Sequence, residues 1–174
     1  MYRKILIALE GKKTDEAVLA HVEKLAVETR AAVTLLRVIT VADDGAGGLG
    51  LQFQLELGSN GWRRKRRAET VLPQLERRLR EKGLSVKTAL VISTQSEADA
   101  IVRYAAENDH DLIAMASDSR PWYRRWVGGC PADGVLRKAT VPTLFIGDAA
   151  REVPEPRTAP QGNAMMEVLG SASL

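Results

Sequence analysis

Apolar positions along the chain fall into five short blocks, separated by stretches where they recur at helical spacing. Ile5 to Leu9 and Leu112 to Ala116 are continuous apolar runs, short enough for strands covered on both faces. Val33 to Ile39 and Val141 to Ile146 are two further β-rich runs, and Ser85 to Ile92 alternates through Val86, Thr88, Leu90 and Ile92. Between the first two blocks in the chain, Val18, Val22, Leu25 and Ala26 mark a helix reaching about Thr29. Thr14 reads as its N-cap, with Asp15 and Glu16 in the first turn, where the helix dipole favours acids. A second helix opens near Trp62, carries Ala68, Val71, Leu72, Leu75 and Leu79 on one stripe, and stops at Gly83. Pro73 predicts a bend or a late start there. Ser96 and Asp99 resemble a capping box ahead of the Ile101, Val102, Ala105 stripe. Pro131 to Lys138 is a short fourth helix, and Pro142 places the last strand at a sheet edge. The alternation predicts an α/β fold: an open, five-stranded, mostly parallel sheet with helices on both faces.

What does not fit the alternation sets the domain limits. Residues 42–61 read as a loop insertion. It contains Gly45-Ala46-Gly47-Gly48-Leu49-Gly50, a G-x-G-x-x-G match with no helix opening at its third glycine. LQFQLEL at 51–57 then alternates like a strand or an arm. After Asp148 the composition shifts to Pro154, Pro156, Pro160 and Gly162, so 1–148 is expected to be one domain and 149–174 a disordered tail. No run approaches the roughly 20 apolar residues of a membrane span. The single cysteine among 174 residues excludes an internal disulfide and fits a reducing, cytoplasmic location.

Net charge is only +3, but it is uneven: Trp62 to Lys82 holds nine Lys/Arg against three Glu. The run Arg63 to Arg67 lacks interleaved aromatics beyond Trp62, so it reads as a solvated helix start, and nucleic acid is not expected as a partner. His21 and His110 have no ligand-spaced companion, so no metal is expected. There is no nucleophile elbow, triad or phosphate loop ending in Lys-Ser/Thr, and no high-turnover enzyme is expected.

The richest stretch is Asp111 to Ile146, where strand, basic loop, helix and strand follow in order. That is the layout of a ligand site at the carboxyl edge of a parallel sheet, where a helix N-terminus favours anions. Arg120, Arg124 and Arg125 in its loop are candidates for bidentate phosphate contacts, beside Trp122, Tyr123 and Trp126. Cys130 falls at the helix start, a position that favours thiolate.

ILIALEG, TLLRVI, SEADAIVRYAAENDHDLIAMAS and GGCPADGVLRKATVPTLFI together resemble the universal stress protein family over about 1–148. The resemblance implies a Rossmann-like sheet and a homodimer formed through the last strand, Val141 to Ile146. It implies a stress-linked binding or regulatory role, and it implies ATP as the cofactor in many members. The family's signature is G-x-x-G, nine residues, then G-[ST]. In that register the positions are Ala116, Ser119, Gly129 and Cys130, with Glu10 at the place of the first-strand Asp. The implied nucleotide-binding set is Ala8, Leu9, Glu10, Val38, Met115, Ala116, Ser119, Arg120, Arg124, Arg125, Gly129 and Cys130. The spacing is kept while the chemistry changes. β-Carbons at 116 and 119 obstruct close backbone approach. Cys130 is a weaker donor than a hydroxyl. Pro131 lacks the N–H an anion would use. The expectation is a degenerate site that does not hold ATP in the family manner. The alternative is a nucleotide sensor in which the Arg120 to Arg125 loop holds ATP or another anion, with slow hydrolysis at the extreme.

Overall fold

The computed structural model describes residues 1–40, 58–117 and 131–147, apart from the side chains of 58–60. Strands β1 (Lys4–Ala8), β2 (Ala32–Thr40), β3 (Val86–Ser93), β4 (Leu112–Ser117) and β5 (Thr143–Gly147) form one sheet in the order β3-β2-β1-β4-β5. Every pairing is parallel. Helices α1 (Asp15–Thr29), α2 (Gly58–Glu81), α3 (Glu97–Glu107) and α4 (Pro131–Lys138) connect and cover the strands. The strand order reverses between β1 and β4, so the crevice beyond their carboxyl ends is the topological switch point.

Successive side chains of a strand face opposite ways, and the core divides accordingly. Ile5, Ile7, Val33, Leu35, Leu112 and Ala114 pack under α1 and α2. Leu6, Leu36, Ile113 and Met115 pack under α3 and α4 with Ile101 and Val135. Burial on both faces explains why the central runs carry almost no polar residues. At the amino edge, the Asp111 carboxylate accepts from the backbone N–H of Arg3 (2.7 Å) and Lys4 (3.0 Å), fixing β4 beside β1. β5 is an edge strand, as Pro142 predicts, and the Pro142 carbonyl still accepts from Ile113 at 3.0 Å.

Two local expectations need correction. α2 runs from Gly58 through Pro73 to Glu81 without a late start. The burial of Ala68, Leu72 and Leu79 along one stripe holds the helix together across the hydrogen bond that proline removes. Thr14 occupies the N-cap position of α1 with helical dihedrals and makes no side-chain cap. It is not needed, because the first helical amides, Asp15, Glu16 and Ala17, already donate to the carbonyls of Lys12, Lys13 and Thr14 at 3.1–3.2 Å. Ser96 does cap α3, accepting from the Asp99 amide at 3.1 Å and donating to its carboxylate at 2.6 Å. The glycine loop, LQFQLEL and the tail lie outside the described residues.

His110 is buried at the amino edge, its Nε2 2.9 Å from Thr34 Oγ1 and its ring 5.9 Å from that of Tyr104. Burial lowers the imidazole from its ordinary 6.5. As pH falls, the unfolded chain therefore takes up this proton before the folded one does. Stability from this group is level above pH 6.5 and declines as pH drops toward the folded value. Urea unfolding at about pH 7.5 and about pH 5.5 should show the decline, and His110→Gln should lack that share of it. An equal decline in the variant would place the titration elsewhere.

Candidate functional site

The turn after β1 is built by one side chain. Asp15, the first residue of α1, is buried and turns back toward the sheet. Its Oδ1 accepts from the Glu10 N–H at 3.1 Å, and its Oδ2 accepts from Gly11 at 2.7 Å and Lys12 at 3.1 Å. Gly11 sits at φ +74°, a conformation that glycine adopts without a β-carbon clash. Burial raises the Asp15 carboxyl above its ordinary range, against the opposite pull of the three amide bonds. The N–H groups of 10, 11, 12, 15, 16 and 17 are all engaged inside the protein. This turn therefore has no free cradle of amides at those positions for a phosphate.

Arg37 fastens the same turn from the neighbouring strand. It is the one charged residue of β2 and faces the α1/α2 side, and its Nη1 donates to the Leu9 carbonyl at 2.6 Å. Burial lowers the guanidinium from its ordinary value, while Glu97 at the start of α3 pulls it back up. Burial raises the Glu97 carboxyl in turn, and Arg37 opposes that rise. Glu10 is half-buried and forms an ion pair with Lys12. The carboxyl edge thus gathers Glu10, Asp15, Arg37 and Glu97 from three separate stretches of the chain.

Several of the residues implied by resemblance come together here, though on two sides of the sheet. Ala8 pairs with Met115 across the switch point, and both share the α3/α4 face with Val38. Leu9 and Ala116 lie in the core of the α1/α2 face. Ala116 is 2% exposed, so its β-carbon fills space inside the core. Glu10 sits at the top of β1. Ser119, Arg120, Arg124, Arg125, Gly129 and Cys130 lie outside the described residues. Arg37 and Glu97 are not among the residues read from the sequence. The available signal was a charge inside the apolar run TLLRVI, at the end of the strand nearest the carboxyl edge.

Arg63 to Arg67 lies in the first half of α2. Lys65 is set over the Trp62 ring at 5.0 Å, with Glu69 at 3.7 Å, and the four arginines are exposed. On the opposite face, the N-terminal part of α3 meets α4. Lys138 bonds to Asp99 at 2.6 Å, and Gly134 faces Ala98 so closely that a β-carbon on Gly134 would stand 2.5 Å from the alanine's. These contacts hold α4 against α3 through its middle and its last residue. None of the described helices is long and apolar enough to cross a membrane.

Comparison with known proteins gives a consistent answer. Universal stress protein MJ0577 of Methanocaldococcus jannaschii is 26% identical over 156 residues, covering 84% of this chain and 95% of that one. Its solved structure superposes with a TM-score of 0.65 at 24% identity, covering 84% and 96% of the two chains. The universal stress protein of Archaeoglobus fulgidus, solved in complex with dAMP, gives 0.57 at 21% identity over 83% and 98%. A universal stress protein solved in complex with cAMP gives 0.62 at 14% identity over 84% and 97%. The model of the universal stress protein family matches residues 1–147, and with the parallel order β3-β2-β1-β4-β5 this shows that the chain belongs to the universal stress protein family.

Proposed function

We propose that this protein is a cytoplasmic binding or regulatory member of its family, working in stress response, whose nucleotide site no longer holds ATP in the family manner. The observation that carries this reading is the closed turn after β1. Asp15 and the helical start engage the amides of 10, 11, 12, 15, 16 and 17, Arg37 holds the Leu9 carbonyl, and Lys12 holds the Glu10 carboxylate. A ligand that needed Glu10 would have to displace that ion pair. Ala116, buried with its β-carbon in the core, adds to the case. Regulation by a partner suits such a site better than turnover does, because nothing among the described residues supplies a positioned nucleophile.

The unpaired edge of β5 and Leu136 on α4, 62% exposed, support a homodimer formed at this end of the sheet. A monomer in sedimentation equilibrium would remove that part of the proposal.

A second reading, an adenine-nucleotide sensor, is favoured by the cAMP and dAMP complexes of two proteins of this fold. Thermal unfolding with ATP, ADP, AMP and cAMP separates the two readings. The first predicts an unchanged Tm. The second predicts a rise that is lost in Arg124→Ala/Arg125→Ala.

A further inference from the structure

The two helices on one face of the sheet part company toward the carboxyl edge. Toward the amino edge the Lys82 ammonium holds both oxygens of Glu23 on α1 at 2.6 and 2.7 Å. At the other end α1, α2 and the turn after β1 enclose a groove of about 390 Å³. That volume lies within the roughly 300–1,000 Å³ of small-molecule sites. Its lining is polarised along α2. Arg64 and Arg67 stand at the carboxyl-edge end, followed on the same side of the helix by Ala68, Val71, Leu72 and Leu75. Leu9 and Leu19 continue the apolar floor, and Arg37 closes the charged end, where Lys12 and Lys13 and the carboxylates of Glu10, Asp15 and Glu16 also line the groove, five cations against three acids. Among the described residues, neither Arg64 nor Arg67 has a carboxylate in ion-pair range. Arg37 feels the repulsion of Arg64 less than the attraction of Glu97 and Asp15.

We propose that this groove binds a small amphipathic anion, an apolar chain ending in a carboxylate or phosphate. The head would sit among Arg37, Arg64 and Arg67, where it can take bidentate contacts. The chain would run along Val71, Leu72 and Leu75, removing apolar surface from water. This groove opens on the α1/α2 face, whereas Ala8, Val38 and Met115 lie on the α3/α4 face. At its charged end the groove adjoins the nucleotide crevice, since Leu9 and Glu10 of the implied nucleotide-binding set also line it, while its apolar part along α2 lies outside that set.

The test is calorimetric titration of the full chain with decanoate, decyl phosphate and 1-decanol, each below the concentration at which it self-associates. Saturable binding of at least one anion, with no comparable binding of the alcohol, is expected. Whether decanoate, decyl phosphate or both bind then identifies the head group. Arg64→Ala/Arg67→Ala, at exposed helix positions that leave the fold intact by circular dichroism, should weaken binding at least tenfold. Val71→Glu should weaken it similarly by placing an acid on the floor. The proposal is overturned if decanol binds as well as the anions, if no probe binds, if the double variant binds unchanged, or if AMP displaces the bound anion.

Discussion

Replacing Asp15 with alanine should lower the unfolding free energy by about 2–4 kcal/mol, because three charge-assisted bonds to the turn disappear together. The bonds reach the amides of Glu10, Gly11 and Lys12 from one carboxylate. The loss should fall short of three full hydrogen bonds for two reasons. Water reaches the exposed Gly11 and Lys12, and removing a buried carboxylate also removes its desolvation cost. Asp15→Asn keeps an acceptor in place and should retain at least half of the stability difference. Urea unfolding of the three proteins measures this. A loss under about 1 kcal/mol in the alanine variant would mean that the turn is held by Arg37 and the strand instead.

The second large effect is expected at Gly134. Alanine is the better helix former by about 1 kcal/mol, so propensity alone predicts stabilisation. The added β-carbon would stand 2.5 Å from Ala98 Cβ, well inside contact distance. Overpacking of this kind costs about 1–3 kcal/mol, so Gly134→Ala should be destabilising on balance. Ala98→Gly in the same chain removes the obstructing atom. The pair should then show a favourable coupling of roughly 0.5–3 kcal/mol in a double-mutant cycle. Strictly additive effects would show that α4 shifts away freely and that the Lys138–Asp99 bond does not hold it against α3.

The strands and their parallel order were legible because a doubly covered sheet needs apolar side chains on both faces. Ile5 to Leu9 and Leu112 to Ala116 can hardly do anything else. Pro142 correctly marked an edge, since it brings no N–H to a ladder. Local capping was less legible. Thr14 has the right chemistry and position, but the preceding turn satisfies the helix amides first, and Asp15, expected to serve the dipole, serves the turn instead. Pro73 did not delay the start of α2, because a rule about one hydrogen bond says nothing about the burial of Leu72 and Leu79 around it. Of the residues the resemblance implies, Ala8, Leu9, Glu10, Met115 and Ala116 lie at the carboxyl ends of β1 and β4, and Val38 on the adjoining β2. Their split between two faces follows from strand alternation and was readable in principle. Arg37 and Glu97 meet only through the fold, 60 positions apart in a chain whose charges are otherwise mostly on the surface.

The most direct measurement is calorimetric titration of magnesium-ATP into the purified full-length protein. With the amides of the β1 turn engaged by Asp15 and the Glu10 carboxylate engaged by Lys12, no saturable heat is expected at micromolar nucleotide. Saturable micromolar binding would contradict the account, because it would show that the ligand opens this turn or bypasses it through the arginines at 120, 124 and 125.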